Sequence, residues 1–335
     1  VPKGIATTHQ NFASAATHQK EVLRIRPDTR VFDFVSYNFD VSWSNHLQTL
    51  ICGACLCVPS EQERRDDIAS AFNRMGCDYA YFTPSVVQSL DPSALPGLRV
   101  LAMGGEPLQS REAARWPQLA KDGGGIIGIY GPAECAQAVS FMSLQTTTAH
   151  NHVGHSFGAK TWLVEPGRPD RLAAIGTIGE LMIEGPTVSS GYFADPAKTA
   201  AAYIQDPAWL TDASAAGHTG RKGTLFLSGD LLRYNPDGSL TFMGRKDDLV
   251  KLRGQRIELG EVEHHVRSCL RDPSLCAGGI AAEIITPRNS TSALLVVFFG
   301  LARRGEDELS VGEREARLAQ VVQGLEDRLW HLLPQ

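Results

Sequence analysis

Phe226 to Val266 reads FLSGDLLRYNPDGSLTFMGRKDDLVKLRGQRIELGEVEHHV, and this stretch decides the fold. Ser228-Gly229 reads as a turn delivering an acid, Asp230. Pro236-Asp237-Gly238 is turn chemistry between two apolar-alternating runs, which predicts a hairpin. Arg245, Lys246, Lys251, Arg253 and Arg256 then crowd into a dense cationic stretch. From Glu258 the period changes: Leu259, Val262, Val266 and Leu270 fall near helical spacing, and Pro273 stops the pattern. Sheet edge, charged hinge and new helix therefore follow one another directly.

Working outward, the whole chain has 335 residues, enough for two or more packed units, because single cores seldom grow past about 250–300 residues. With 43% hydrophobic and 21% charged residues it reads as a soluble globular chain. A net charge of −5 argues against a nucleic-acid partner, which needs a basic face. No apolar run reaches the roughly 18 residues of a membrane helix and no signal peptide is visible, so no membrane association and a cytoplasmic location are expected. Cys52, Cys55 and Cys57 lie in the apolar run ICGACLCV without a second ligand pair at zinc spacing. They read as small buried side chains, and the spacing of the seven cysteines suggests reduced thiols.

In chain order, Asn11–Leu23 has weak helical periodicity and Val31–Val35 alternates as a strand. Leu47–Val58 fits helix or buried strand equally by periodicity. Beyond it helices and strands alternate in a doubly wound α/β pattern. Asp67–Met75, Ser85–Leu90 and Arg111–Lys121 read as helices, and Tyr79–Phe82, Leu98–Met103 and Ile126–Tyr130 as strands. Two of these strands run into glycine turns, Gly104-Gly105-Glu106 and Gly131-Pro132-Ala133-Glu134, at the strand ends where such sheets bind ligands. After Val139 short alternating strands between Gly/Pro turns suggest a β-rich subdomain, with a helix at Asp195–Ile204. Beyond Asp247 a small α+β lobe is expected, with Glu258–Leu270 and Glu313–Leu333 as helices and Leu294–Phe299 as a strand. The expected division is thus 1–140, 141–246 and 247–335.

The run SGDLxRxxPDGxLxFxGRxDxxVKxRGxRIELGEVE, here Ser228 to Glu263, closely resembles the signature of adenylate-forming enzymes, and specifically the amino-acid-activating adenylation domains of nonribosomal peptide synthetases. Val153–Gly158 and Lys198–Ile204 are similar to the same family in its fungal wording. The resemblance implies an adenylate-forming α/β fold: a large core of doubly wound layers plus a β-rich subdomain, then a small α+β C-terminal lobe. It also implies an N- and C-terminally incomplete domain, since Pro2-Lys3-Gly4 resembles only the tail of the family's phosphate loop and the family's late C-terminal lysine has no counterpart.

The resemblance assigns roles residue by residue. Lys3 belongs to the phosphate loop, and Gly104, Gly105 and Glu106 line the adenine. Tyr130 and Gly131 form the nucleotide turn, in which Glu134 would be an oxygen ligand to Mg²⁺. Asp230 would accept from the ribose hydroxyls, Arg245 would reach ribose and phosphate, Asp247 would be the hinge, and Lys251 with Arg253-Gly254 would sit at the moving interface. Ala133 stands where the family usually has a hydroxyl residue. Asp40, in Phe39-Asp40-Val41-Ser42, would pair with a substrate α-ammonium; a buried carboxylate needs such a partner. The implied pocket wall is Val41, Ser44, Tyr81, Ala102, Gly104, Ile129, Gln137 and Ala138, with room at Ala102 and Gly104 and polar handles at Ser44, Tyr81 and Gln137.

The reaction implied is ATP-dependent activation of an α-amino acid to aminoacyl-AMP, then thioester loading on a phosphopantetheinylated carrier domain beside a condensation domain of a multidomain synthetase. Two alternatives stand beside it. One is a stand-alone acyl- or aryl-CoA ligase, against which Asp40 argues; the other is a degenerate, non-catalytic adenylation domain, for which Ala133 and the missing termini speak. His264-His265 reads as one core and one surface histidine.

Overall fold

The computed structural model describes residues 3–106, 108, 114–120, 124–144, 151–212, 220–246, 249–252, 255–270, 279–285, 287, 294–300, 312, 315, 318–319 and 322–329. The chain divides into two compact units, Val1–Lys246 and Asp247–Gln335.

In the first unit, strands β1 (Arg30–Phe32), β2 (Cys55–Cys57), β3 (Tyr79–Phe82), β4 (Val100–Gly104) and β5 (Gly125–Tyr130) run parallel in the order β2-β1-β3-β4-β5. Their sequences explain the arrangement. YAYF and VLAMG are buried at every residue and GIIGIY at all but the last, the mark of strands covered on both faces. Side chains alternate between two cores. Phe32, Phe82, Leu101 and Met103 join Phe72 and Trp116 on one face, while Val31, Tyr79, Tyr81, Ala102 and Ile129 join Leu23 and Cys52 on the other.

The second face is closed by helices α1 (His9–Leu23) and α2 (Asp40–Ile51). The ambiguous run 47–58 thus splits into the end of α2 and strand β2. Short helices α3 (Glu61–Asp66), α4 (Ile68–Arg74) and α5 (Pro84–Ser89) follow. A reciprocal cap starts α1: Thr8 Oγ1 accepts from the Asn11 N–H at 3.2 Å and Asn11 Oδ1 accepts from the Thr8 N–H at 2.9 Å.

Antiparallel strands continue the same sheet through β6 (Ser140–Ser143) and β7 (His152–Ser156) into β13 (Leu240–Arg245), β12 (Thr224–Tyr234), β10 (Gly179–Glu184), β8 (Lys160–Glu165) and β9 (Arg168–Leu172), with β11 (Tyr203–Gln205) also on β12. The predicted hairpin joins β12 to β13: Gly238, at φ +81°, donates to the Asn235 carbonyl at 3.0 Å, and Asp237 Oδ1 accepts from Ser239 N–H. Ser228-Gly229-Asp230 differs from its expected form. It is a bulge inside the 11-residue β12, not a turn, because pairing with β10 resumes on both sides after a two-residue shift between Leu227–Met182 and Leu231–Glu180.

In the second unit, β14 (Leu249–Leu252) pairs with β15 (Gln255–Glu258), and β16 (Gly279–Ile285) with β17 (Leu294–Gly300). Helix Leu259–Cys269 buries Leu259, Val262 and Val266, the residues whose spacing predicted it, beside Leu270, Ile280 and Leu325. His264 is exposed and His265 half-buried, so neither is a core residue. Cys52 and Cys57 are buried as expected, whereas Cys55 is exposed. Of the expected helix at 111–121, the described part, 114–120, holds a 3-10 turn at Pro117–Ala120 in place of a continuous α-helix, because Pro117 cannot donate within one. Of that at 313–333, the described residues include the helix Leu325–Leu329 after a turn at Gln323-Gly324, and the remainder of both lies outside the described residues. No helix among the described residues is long and apolar enough to cross a membrane.

Candidate active site

The turn after β5, Tyr130 to Ala138, carries the predicted residues Tyr130, Gly131, Glu134, Gln137 and Ala138 and contacts three more, Lys3, Asp230 and Ser44. Glu134 sits in a single 3-10 turn, Ala133–Cys135, and is 3% exposed. Its Oε1 forms an ion pair with Lys3 Nζ and accepts from the Tyr192 hydroxyl at 2.7 Å. Backbone pairing delivers Lys3 there. Phe193 N–H donates to the Gly4 carbonyl at 2.8 Å and Ala6 N–H to the Gly191 carbonyl at 2.9 Å, so the segment after Lys3 lies alongside 190–193. The ammonium is 5.3 Å from the centre of the Tyr192 ring, within cation–π range. Burial alone would push the Glu134 carboxyl up, but Lys3 and the Tyr192 hydroxyl outweigh it and hold the group below the ordinary carboxylate value.

At the head of the same turn, the Tyr130 hydroxyl donates to Asp230 Oδ2 at 2.5 Å, and Arg245 Nη1 donates to Asp230 Oδ1 at 2.6 Å. Asp230 and Arg245 are direct partners across the β12–β13 ladder, and the bulge in β12 turns the acid to meet them. Arg245 also donates to the Ser228 carbonyl at 3.2 Å. Burial and the neighbouring Asp230 carboxylate push the Tyr130 phenol well above its ordinary value, so it stays a donor.

Toward the other end of the turn, Gln137 Oε1 accepts from Ser44 Oγ at 2.7 Å, which ties it to α2. Asp40 opens that helix, where a carboxylate is favoured by the helix dipole, and its Oδ1 accepts from Val41 N–H at 2.9 Å. Tyr81, Ala102, Ile129 and Ala138 belong to one buried cluster with Val41 packed on it. Burial, with Asp40 nearby, raises the Tyr81 phenol above its ordinary value. The room expected at Gly104 is already taken: a Cβ there would lie 2.2 Å from Tyr81 Oη and 2.6 Å from the Ile129 carbonyl.

Other predicted residues have local roles. Gly105 adopts φ +86°, and Glu106 Oε2 accepts from the Ser85 N–H at 2.9 Å and hydroxyl at 2.7 Å, which caps α5. Gly131 is required by its neighbours, since a Cβ would meet the Gln137 carbonyl at 2.4 Å. Lys251 stands in β14 in register with Arg256 of β15. Asp247 and Arg253-Gly254 lie outside the described residues.

Sequence reasoning missed three participants: Tyr192, Gln19 and Gln48. It also missed the strain in the turn. Ala136 and Gln137, neither a glycine, both adopt positive φ, +53° and +79°, at a cost of about 1–2 kcal/mol each. Tyr192 outside the named elements, Gln19 on a weakly periodic helix and Gln48 in a run that fits helix or strand equally carry no local signal of these contacts.

As a cation site, the turn supplies one buried, ionised carboxylate, and no group of three or more His, Cys, Asp or Glu side chains is placed to hold a metal among the described residues. Those residues fit Mg²⁺, which takes few protein carboxylates and completes its shell with phosphate and water.

Comparison with known proteins places these features in context. Residues 1–193 match the model of the AMP-binding enzyme family. The chain is 42% identical to a nonribosomal peptide synthetase of Aspergillus campestris, aligned over 100% of this chain and 3% of that protein. It is 40% identical to peramine synthetase A of Epichloe festucae, over 100% of this chain and 12% of that protein. Among solved structures, the Vibrio cholerae adenylation domain AlmE in complex with glycyl-adenosine-5'-phosphate superposes with a TM-score of 0.71 at 25% identity, over 97% of this chain and 59% of that one. The chain thus spans a small part of the curated relatives it matches.

Proposed function

This chain belongs to the AMP-binding enzyme family, and from that premise we propose that it activates an α-amino acid with ATP and hands it to a carrier thiol, as the adenylation part of a nonribosomal peptide synthetase. The observation that carries the reading is the single turn Tyr130–Ala138. It contacts the predicted ribose acid through Tyr130, the phosphate-loop lysine through Glu134 and the Asp40 helix through Gln137.

In this reading Asp40 pairs with the substrate ammonium and points the carboxylate at the α-phosphorus of ATP. Asp230 accepts from the ribose hydroxyls, and Arg245 shares its charge between Asp230 and the phosphate. Lys3 leaves Glu134 for the phosphate chain once nucleotide is present. Mg²⁺, when bound at Glu134, would neutralise phosphate oxygens. The amino-acid carboxylate oxygen bonds to the α-phosphorus, pyrophosphate departs with the electrons of the broken P–O bond, and aminoacyl-AMP remains. Both reactants are anionic, so orientation and cationic side chains supply most of the rate gain. A phosphopantetheine thiolate then attacks the acyl carbon and AMP leaves.

The Aspergillus campestris relative is named a nonribosomal peptide synthetase, which supports a multidomain setting, and a carrier domain and a condensation domain are the partners this reading expects. The test is amino-acid-dependent ATP–pyrophosphate exchange by the full-length protein across a panel of amino acids. Exchange with an α-amino acid that Asp40→Ala abolishes supports the reading. Exchange only with carboxylic acids that lack an amine overturns it in favour of an acyl- or aryl-CoA ligase.

A further inference from the structure

Two buried glutamines, outside the residues assigned above to substrate, hold the strained part of the turn. Gln19 on α1 donates from Nε2 to the carbonyls of Ala136 and Ala138, at 3.1 and 3.3 Å. Gln48 on α2 donates from Nε2 to Gln19 Oε1 at 2.9 Å. The chemistry fixes the orientation. Two carbonyls can only accept, so the Gln19 amide nitrogen must face them and its oxygen is left for Gln48. Both side chains are 1% exposed, so these bonds are made away from water, where an unmade one is costly.

The carbonyls that Gln19 grips flank Gln137, the left-handed residue whose side chain meets Ser44. Two non-glycine residues in positive φ persist only where the surroundings over-determine them. Here the surroundings are α1, through Gln19, and α2, through Gln48 and Ser44. Because Ser44 holds Gln137 Oε1, the amide Nε2 is the end left to meet a substrate, as a donor.

We propose that Gln19, braced by Gln48, is a positioning residue for amino-acid selectivity. It fixes the backbone on both sides of Gln137 and so the direction of the Gln137 amide, which favours amino acids whose side chains carry a hydrogen-bond acceptor. This rests on the amino-acid-activating function proposed above, and deepens it.

The test uses Gln19→Met and Gln48→Met in the full-length protein; methionine keeps the volume and removes the amide. Pyrophosphate exchange is measured with isosteric pairs, asparagine against leucine and glutamine against methionine, together with the KM for ATP. The expected result is a fall of about 10-fold in the preference for the acceptor-bearing member in Gln19→Met and about 3-fold in Gln48→Met, since lost hydrogen-bond readout falls on one member of each pair. The KM for ATP should stay within about twofold, because uniform binding is untouched. Unchanged preference, or equal loss for both members, overturns the proposal. Should Gln19→Met not fold, Gln48→Met decides alone by the same criterion. A wild-type protein that exchanges no amino acid fails the functional reading itself, whereas wild-type exchange with unaltered ratios in the variants fails only the brace.

Discussion

Lys3 and Glu134, 131 positions apart in the chain, form an ion pair on the carboxylate oxygen that also receives the Tyr192 hydroxyl. The acid is buried and the lysine partly exposed, so the lysine is the partner that a competing polyanion can reach. Removing one member of such a pair leaves the other desolvated and unmatched.

Lys3→Met should therefore lower kcat/KM in pyrophosphate exchange by about 10²-fold, the scale of one lost charge-stabilising donor. Tyr192→Phe keeps the ring under the ammonium and loses only the hydroxyl bond, so a loss of about 3- to 10-fold is expected. Equal losses in the two variants would contradict a positioning role for the hydroxyl.

Gly229 sits in the β12 bulge at φ +77°, and a Cβ there would lie 2.7 Å from Arg245 Nη2. In Gly229→Ala the arginine tip gives way and its bond to Asp230 is lost. The KM for ATP should rise about 10-fold, as for one charge-assisted bond, with Tm lowered by roughly 2–6 °C. An unchanged KM for ATP would separate the arginine from nucleotide binding.

Gly104→Ala overpacks the wall between Tyr81 and the Ile129 carbonyl and should cost about 1–3 kcal/mol in urea unfolding. Adding Tyr81→Phe removes the nearer contact, at 2.2 Å, and leaves the carbonyl at 2.6 Å. Partial recovery of stability is expected; none at all would mean the backbone contact governs.

His152 gives a pH dependence. Gly154 N–H donates to its Nδ1 at 3.2 Å and its Nε2 shares 2.8 Å with Ser239 Oγ, which makes the ring neutral. Burial, aided by His155 and opposed by Asp237, lowers its pKa below 6.5. As pH falls below the ordinary value, the unfolded chain therefore takes up a proton first. Stability is full above about pH 6.5 and declines below it until the folded ring also protonates. His152→Gln should flatten the urea midpoint between about pH 6.5 and 5; an unchanged slope would assign the acid sensitivity elsewhere.

Most strands and several helices were legible because their signals are local. YAYF at Tyr79–Phe82 and the helical spacing of Leu259, Val262 and Val266 each appear where predicted. Ser228-Gly229 misled because Ser-Gly is turn chemistry in isolation, whereas neighbours on both sides hold it in a strand as a bulge. Room at Gly104 was misread for a similar reason: a missing Cβ is visible in the sequence, but the Tyr81 hydroxyl that fills its place comes from the next strand.

By itself the sequence determined the parallel core, the β12–β13 hairpin and the identity of the chemical side chains, because apolar period, turn residues and motif spacing are properties of neighbouring residues. Only the tertiary structure decided which of those side chains meet. Lys3 reaches Glu134 through pairing of its segment with 190–193, and Gln19 reaches the carbonyls of Ala136 and Ala138 because α1 packs on the second face of the sheet. Such contacts join residues more than a hundred positions apart, where no local period survives and close packing alone sets the partner.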